Sequence, residues 1–80
     1  SLYRIMLVDD EEEVRKAMIR KMNWEQLGFT VVGDAENGED ALEKLEMLEP
    51  DVIMTDIRMP YMDGLTLIAR IREQYPFIKF

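Results

Sequence analysis

The amino-acid sequence predicts an α/β fold: a doubly wound parallel sheet, incomplete, running βαβαβα and then into the start of a fourth strand. Three observations carry this. Short apolar runs recur at Tyr3–Val8 (YRIMLV), 29–33 (FTVVG) and Val52–Thr55 (VIMT), each of strand length and bounded by polar or turn-forming residues. The stretches between them show the helical period instead. Strand–helix alternation at this spacing implies right-handed crossovers between parallel strands, with helices on both faces.

The first run is apolar enough to be buried on both sides. It is followed by five consecutive acids at 9–13, then by Val14, Ala17, Met18 and Met22 at helical spacing. Arg15, Lys16, Arg20 and Lys21 fall on the opposite side. Acids at the start and bases at the end suit the helix dipole, so a helix is expected over about 11–22. Residues 23–28 form a polar break containing Trp24, which reads as a partly buried lid on that helix. The second strand follows at 29–33.

Asn37 suits the N-cap of the next helix, with Glu39 and Asp40 in its first turn. Ala41, Leu42, Leu45 and Leu48 form its buried stripe, and Pro50 closes the segment. The third strand, Val52–Thr55, ends at Asp56. In the loop RMPYMDG, Pro60 biases Met59 away from helical geometry, and Asp63-Gly64 suits a turn into a helix. Leu65, Ile68 and Ile71 mark that third helix to about Gln74. Pro76 breaks it, and residues 77–80 read as the opening of the fourth strand.

Composition removes several classes of function. Apolar residues make up 48% of the chain, enough for a packed core rather than disorder. No run approaches the ~20 apolar residues of a membrane span, and no targeting signal precedes the first strand. Cysteine is absent, which excludes disulfides and thiolate sites and fits a cytoplasmic location. Histidine is absent too, which excludes imidazole ligands and a Ser-His-Asp triad. Seventeen acids against ten bases give a net charge of −7, so this segment has no basic surface for direct nucleic-acid contact. What remains is carboxylate chemistry.

Ligands of open parallel sheets bind beyond the carboxyl ends of the strands. The first strand ends in Asp9-Asp10 and the third in Asp56; if the two are neighbours, three carboxylates converge at one edge. Like charges so placed repel unless a cation sits among them. Oxygen donors alone point to Mg²⁺, which takes a few carboxylates with water and phosphate oxygens. A carboxylate beside it can then act as nucleophile toward phosphorus. Because successive strand residues point to opposite sides, only one of Asp9 and Asp10 is expected to face Asp56 directly. Singly, each piece has an ordinary explanation. Residues 9–13 suit a dipole-favoured first turn, Asp56 a strand-end cap, Asp63-Gly64 a turn, and the seven methionines core filler.

In combination they are far more specific. LVDDE after the first strand, an apolar strand ending in TD, then MP and DG resemble, in order and over the whole chain, the response-regulator receiver domain of two-component signalling. The resemblance implies a flavodoxin-like sheet in the order 2-1-3-4-5. It implies that residues 1–80 are a partial receiver domain. It implies Asp56 as phosphoacceptor, Asp10 as a direct Mg²⁺ ligand, Asp9 as its partner through water, and the backbone carbonyl of Arg58 as a further ligand, with the Arg58 side chain near the pocket. It implies a histidine kinase as phosphoryl donor. Two further family residues, a Ser or Thr after the fourth strand and a Lys after the fifth, belong past Phe80, and Lys79 is not that lysine. The first helix, the Trp24 connector and the MPYMDGL loop look like regulators carrying an AraC-type DNA-binding output domain. Switching therefore depends on residues outside this segment, and the apolar edge at VIMT favours pairing with a second copy when the segment stands alone.

Two other classes are weaker. A phosphohydrolase of the haloacid-dehalogenase type also uses a strand-end Asp, but it requires a second Asp two residues on, where this chain has Arg58. A non-phosphorylated interaction module would have no need of all three acids.

Overall fold

The computed structural model describes all 80 residues, Ser1–Phe80. In chain order the elements are β1 (Tyr3–Val8), α1 (Glu12–Lys21), β2 (Phe29–Ala35), α2 (Gly38–Leu48), β3 (Val52–Thr55) and α3 (Gly64–Gln74). All strand pairing is parallel, in the order β2-β1-β3. The central place of β1 follows from its composition, since Ile5, Met6, Leu7 and Val8 are all buried, as a strand covered on both faces requires. Alternation sends Met6 and Val8 to one face, where they pack with Ile53, Ala41 and Leu45 of α2, and Leu67 and Ile71 of α3. Ile5 and Leu7 face the other way, toward Trp24 and the half-buried Met18 and Ile19 of α1. Helices thus cover both faces of the sheet, as the pattern predicts.

The fourth strand begins as a single parallel bridge between Val52 and Lys79. Ile53 N–H donates to the Lys79 carbonyl at 2.8 Å, and Lys79 N–H to the Asp51 carbonyl at 2.9 Å. This bridge lies on the side of β3 away from β1.

The helix ends also follow local chemistry. The Asn37 side chain accepts from Asp40 N–H at 2.8 Å, capping α2. Glu49 closes α2 in the left-handed region at φ 48°, and buried Pro50 prevents continuation. Asp63 caps α3 by accepting from Thr66 N–H at 2.8 Å. Trp24 is buried, its indole N–H donating to the Met18 carbonyl at 3.1 Å and its ring meeting Phe29 edge-on.

Four expectations are corrected. First, β2 extends to Ala35 rather than stopping at Gly33. Gly33 is no terminator: it follows a register shift opposite Ile5 and Met6, and a Cβ there would stand 2.6 Å from Leu48 Cδ1. The glycine makes room for α2 and the strand continues. Second, α1 does not bury Val14 and expose Arg15. Val14 is 42% exposed, whereas Arg15 is buried because an acid on β2 receives it. Third, α3 buries Gly64, Leu67 and Ile71, while Leu65 is 62% exposed. Leu65 borders instead an apolar groove with Met54, Ile57, Ile68 and Phe80 beside β3. Fourth, the methionines divide: Met6, Met59 and Met62 are core, but Met22, Met47 and Met54 are exposed.

Candidate functional site

Parallel pairing brings the ends of β1 and β3 side by side. Val8 is level with Thr55, and Asp56 N–H donates to the Val8 carbonyl at 2.9 Å. The residues that follow each strand therefore meet at the carboxyl edge of the sheet. One carboxylate oxygen from each of Asp9, Asp10 and Asp56 lies within 4.8 Å of the others. Asp9 and Asp56 are half-buried and Asp10 is exposed. The expectation that only one of the adjacent acids could face Asp56 does not hold, because strict alternation ends with β1 at Val8.

The three acids are held differently. Asp9 is anchored at every polar atom class. Its N–H donates to the Ala35 carbonyl at 3.1 Å, its carbonyl accepts from Arg15 Nη1 at 2.7 Å, and its Oδ1 accepts from Glu11 N–H at 2.8 Å. Asp10 makes no such bond within the chain, which leaves both its oxygens available. Asp56 Oδ1 takes a long contact from Arg58 N–H at 3.4 Å. That places the Arg58 backbone beside the cluster, whereas its exposed guanidinium joins none of the ion pairs. A cavity of about 210 Å³ alongside is lined by Asp9, Arg15, Met18, Met54, Thr55 and Asp56.

The loop after β3 is pinned on both sides. Met59 and Met62 are buried, and Met62 packs against Gly38 at the start of α2. Between them Tyr61 is fully exposed at φ 71°, and Met62 N–H donates to the Pro60 carbonyl at 2.8 Å. This is a γ-turn with positive φ, a sparsely populated backbone state. Gly64 then passes directly over the end of β3. A Cβ there would stand 2.3 Å from the Asp56 carbonyl oxygen and 2.9 Å from Ile57 Cα, and Gly64 N–H donates to the Ile57 carbonyl at 2.7 Å.

Two acids titrate away from their ordinary range. Burial pushes Asp40 upward, but hydrogen bonds from Lys44 Nζ and Glu36 N–H, with the charges of Lys44 and Arg15, outweigh it, and the net direction is down. Asp63 is lowered by the Thr66 N–H it caps. Neither belongs to the cluster.

Sequence reasoning placed Asp9, Asp10 and Asp56 together and set Arg58 beside them. It set Arg15 on the solvated side of α1, gave Asp34 no place, and read Gly64 only as part of the turn at the rim. The readable signal for the first two was an acid directly continuing an apolar strand, since a carboxylate there calls for a cationic partner. For Gly64, no periodicity distinguishes a glycine needed for a turn from one needed for clearance.

An open, doubly wound parallel sheet with three oxygen-donor acids gathered at its carboxyl edge defines a flavodoxin-like α/β domain whose acidic pocket suits a hard divalent cation. The family model of the response regulator receiver domain matches residues 5–79, and the chain belongs to that family. It is 39% identical, over 99% of its length, to the uncharacterized transcriptional regulatory protein YesN of Bacillus subtilis, of which it spans 22%. A protein-glutamate methylesterase/protein-glutamine glutaminase from the same species is 43% identical over 92% of this chain, which covers 20% of that protein. Among solved structures, a two component transcriptional regulator AraC from Clostridium phytofermentans superposes with a TM-score of 0.87 at 39% identity, over 99% of this chain and 60% of that one. The REC domain of AraT, a response regulator from Geobacillus stearothermophilus, gives a TM-score of 0.84 at 36% identity, over 98% and 60%. The chain is thus a receiver domain in part, a regulatory unit of two-component response regulators, and its sheet is incomplete relative to those neighbours. Receiver domains generally bind Mg²⁺ at an acidic pocket of this kind.

Proposed function

We propose that this chain accepts a phosphoryl group on Asp56 from the phosphohistidine of a histidine kinase. The observation that carries the reading is the convergence of Asp9, Asp10 and Asp56 oxygens within 4.8 Å at the carboxyl edge of the sheet. Those donors fit Mg²⁺: all are hard oxygens, they are few, and one side of the cluster is open to water and phosphate. Asp10 and Asp56 would hold the ion directly, Asp9 through water, and the Arg58 carbonyl would complete the protein's share. Once bound, the ion supplies charge neutralisation for the phosphoryl oxygens. The chain's own part is nucleophilic. An Asp56 oxygen forms the new O–P bond in line as the P–N bond to the donor imidazole breaks, a reaction governed by positioning more than by covalent machinery. Asp9, fixed by three hydrogen bonds, keeps the floor of the pocket in place.

In this reading the domain is regulatory and has no turnover of its own beyond gaining and losing its phosphoryl group. No helix is long and apolar enough to cross a membrane, and a cytoplasmic place beside a kinase is the setting proposed. Likeness to YesN and to the AraC regulator supports a DNA-binding output domain in the full protein, with this segment making no nucleic-acid contact itself. The methylesterase relatives make an enzymatic output the competing outcome.

The test treats the full natural chain with acetyl phosphate and Mg²⁺ and reads the adduct by mass spectrometry. A stable adduct on Asp56, absent from Asp56→Asn, is expected. Rapid hydrolysis of acetyl phosphate without an adduct would favour the phosphohydrolase class, and an Asp56→Asn protein still labelled at that position would refute the assignment.

A further inference from the structure

Arg15 stands out among the cationic side chains. It lies on α1 where periodicity calls for a solvated base, yet its side chain is only 8% exposed. Its Nε pairs with Asp34 Oδ2 on β2 at 2.5 Å, and its Nη1 donates to the Asp9 carbonyl at 2.7 Å. Asp34 is itself held, since its carbonyl accepts from Lys44 Nζ at 2.7 Å, and Lys44 pairs with Asp40 at 3.0 Å. A continuous polar chain therefore runs from α2 through β2 and α1 to the end of β1. It ends on the peptide group joining Asp9 to Asp10.

We propose that Arg15 is a positioning residue for the divalent-cation site: its guanidinium, oriented by Asp34, fixes the Asp9–Asp10 peptide and so sets where both carboxylates stand relative to Asp56. The inference rests on the cation reading given under Proposed function. The guanidinium suits the task because it is planar and rigid, and its fork reaches an acceptor on β2 and another just past the end of β1 at once. Groups behind metal ligands commonly contribute 10- to 100-fold in affinity, on the order expected here.

Two alternatives predict different results. If Arg15 only ties α1 to the sheet, its loss costs stability but leaves ion affinity alone in whatever remains folded. If Arg15 acts only through its charge, removing a cation beside three carboxylates strengthens divalent binding. The double variant Arg15→Met/Asp34→Leu separates these. It removes one charge of each sign, so the net field on the pocket changes little. The pair is buried on the Arg15 side and half-buried at Asp34; replacing buried ion pairs by apolar residues of similar size is often neutral or stabilising, so folding is expected to survive. It nevertheless removes the donor to the Asp9 carbonyl.

The measurement is Mn²⁺ titration of the full natural chain by water-proton relaxation, with cooperative unfolding followed in parallel. The wild type is read first; absence of Mn²⁺ binding there defeats the underlying cation reading and this proposal with it. Given wild-type binding, the double variant is expected to lose about tenfold or more in Mn²⁺ affinity while unfolding cooperatively. Wild-type affinity in the folded double variant overturns the positioning role and leaves the cation reading intact. Should the double variant not fold, Arg15→Lys decides the matter. It keeps the charge but replaces the fork by a point donor one bond shorter, so weakened Mn²⁺ binding supports positioning and unchanged binding refutes it.

Discussion

Gly64→Ala tests how closely the start of α3 is built onto the strand end that carries Asp56. On helix propensity alone the change would stabilise α3 by up to about 1 kcal/mol. The space is not there. The new Cβ would lie 2.3 Å from the Asp56 carbonyl oxygen and 2.9 Å from Ile57 Cα, both backbone atoms that cannot rotate aside. Ordinary contact begins near 3.4 Å, so the two segments must part by about 1 Å. Overpacking of this kind costs about 1–3 kcal/mol. The same separation weakens the 2.7 Å bond from Gly64 N–H to the Ile57 carbonyl, worth about 1 kcal/mol net. Clash and lost bond outweigh propensity, leaving a destabilisation of about 2 kcal/mol, or roughly 8–16 °C in Tm for a domain this size. Because the closest of the displaced atoms belongs to Asp56, phosphoryl acceptance should slow as well, on the order of 100-fold for a misplacement of that size. Urea unfolding followed by Trp24 fluorescence, with acetyl phosphate labelling on the same preparations, reads both. A Gly64→Ala protein as stable as wild type would show that the approach of α3 to Asp56 is not as tight as the geometry states.

Divalent affinity should fall further in Asp10→Asn than in Asp9→Asn, because Asp10 has both oxygens free whereas Asp9 Oδ1 is occupied by Glu11 N–H; Mg²⁺ titration of the two variants with equal losses, or a larger loss at Asp9, would reverse that order. Asp63 is depressed by its cap on Thr66, so its stabilising contribution is present above the unfolded value of about 3.9 and is lost as pH falls through the lower folded value. Asp63→Asn keeps the cap without titrating, so the wild type should lose more of its urea midpoint between about pH 6 and pH 3 than the variant does; identical losses would contradict the linkage. A polypeptide of these 80 residues alone should self-associate with rising concentration through the β3 flank, where Met54, Ile57, Leu65 and Phe80 are exposed; sedimentation velocity showing a monomer throughout a concentration series would refute this.

Much of this fold was legible because its strands are short, apolar and separated by one helix at a time. Asp56 was legible for the same reason: an apolar strand that ends in an acid, in a parallel sheet, puts that acid at the edge where ligands bind. Asn37, Asp63 and Pro50 act where residue chemistry says they should. The errors fall where tertiary contact reverses a residue's ordinary preference. Gly33 reads as a stop, but the Leu48 side chain fills the place its Cβ would take. Leu65 reads as core, but α3 is rotated so that Gly64, Leu67 and Ile71 face the sheet, the glycine being drawn in by its clearance over Asp56. Apolar spacing alone cannot register that rotation, since Leu65, Ile68 and Ile71 make an equally good stripe.

Arg15 is the most instructive of these reversals. Hydrophobic periodicity counts every arginine as solvent-facing, and ending the second strand at Gly33 removed the acid that makes this one an exception. With Asp34 inside β2 the logic changes, because a carboxylate on a strand behind a helix must be matched and the nearest cation lies on α1. One misplaced strand end thus concealed both members of the pair, and with them the tie to the Asp9–Asp10 peptide. The acidic cluster itself depends only on which residues follow two adjacent strands, so it survives errors of one or two residues elsewhere. The framework that holds the cluster depends on which faces the helices present. Ligands of such a site are therefore readable from motif and strand order, whereas the groups that orient them become visible only when packing is known.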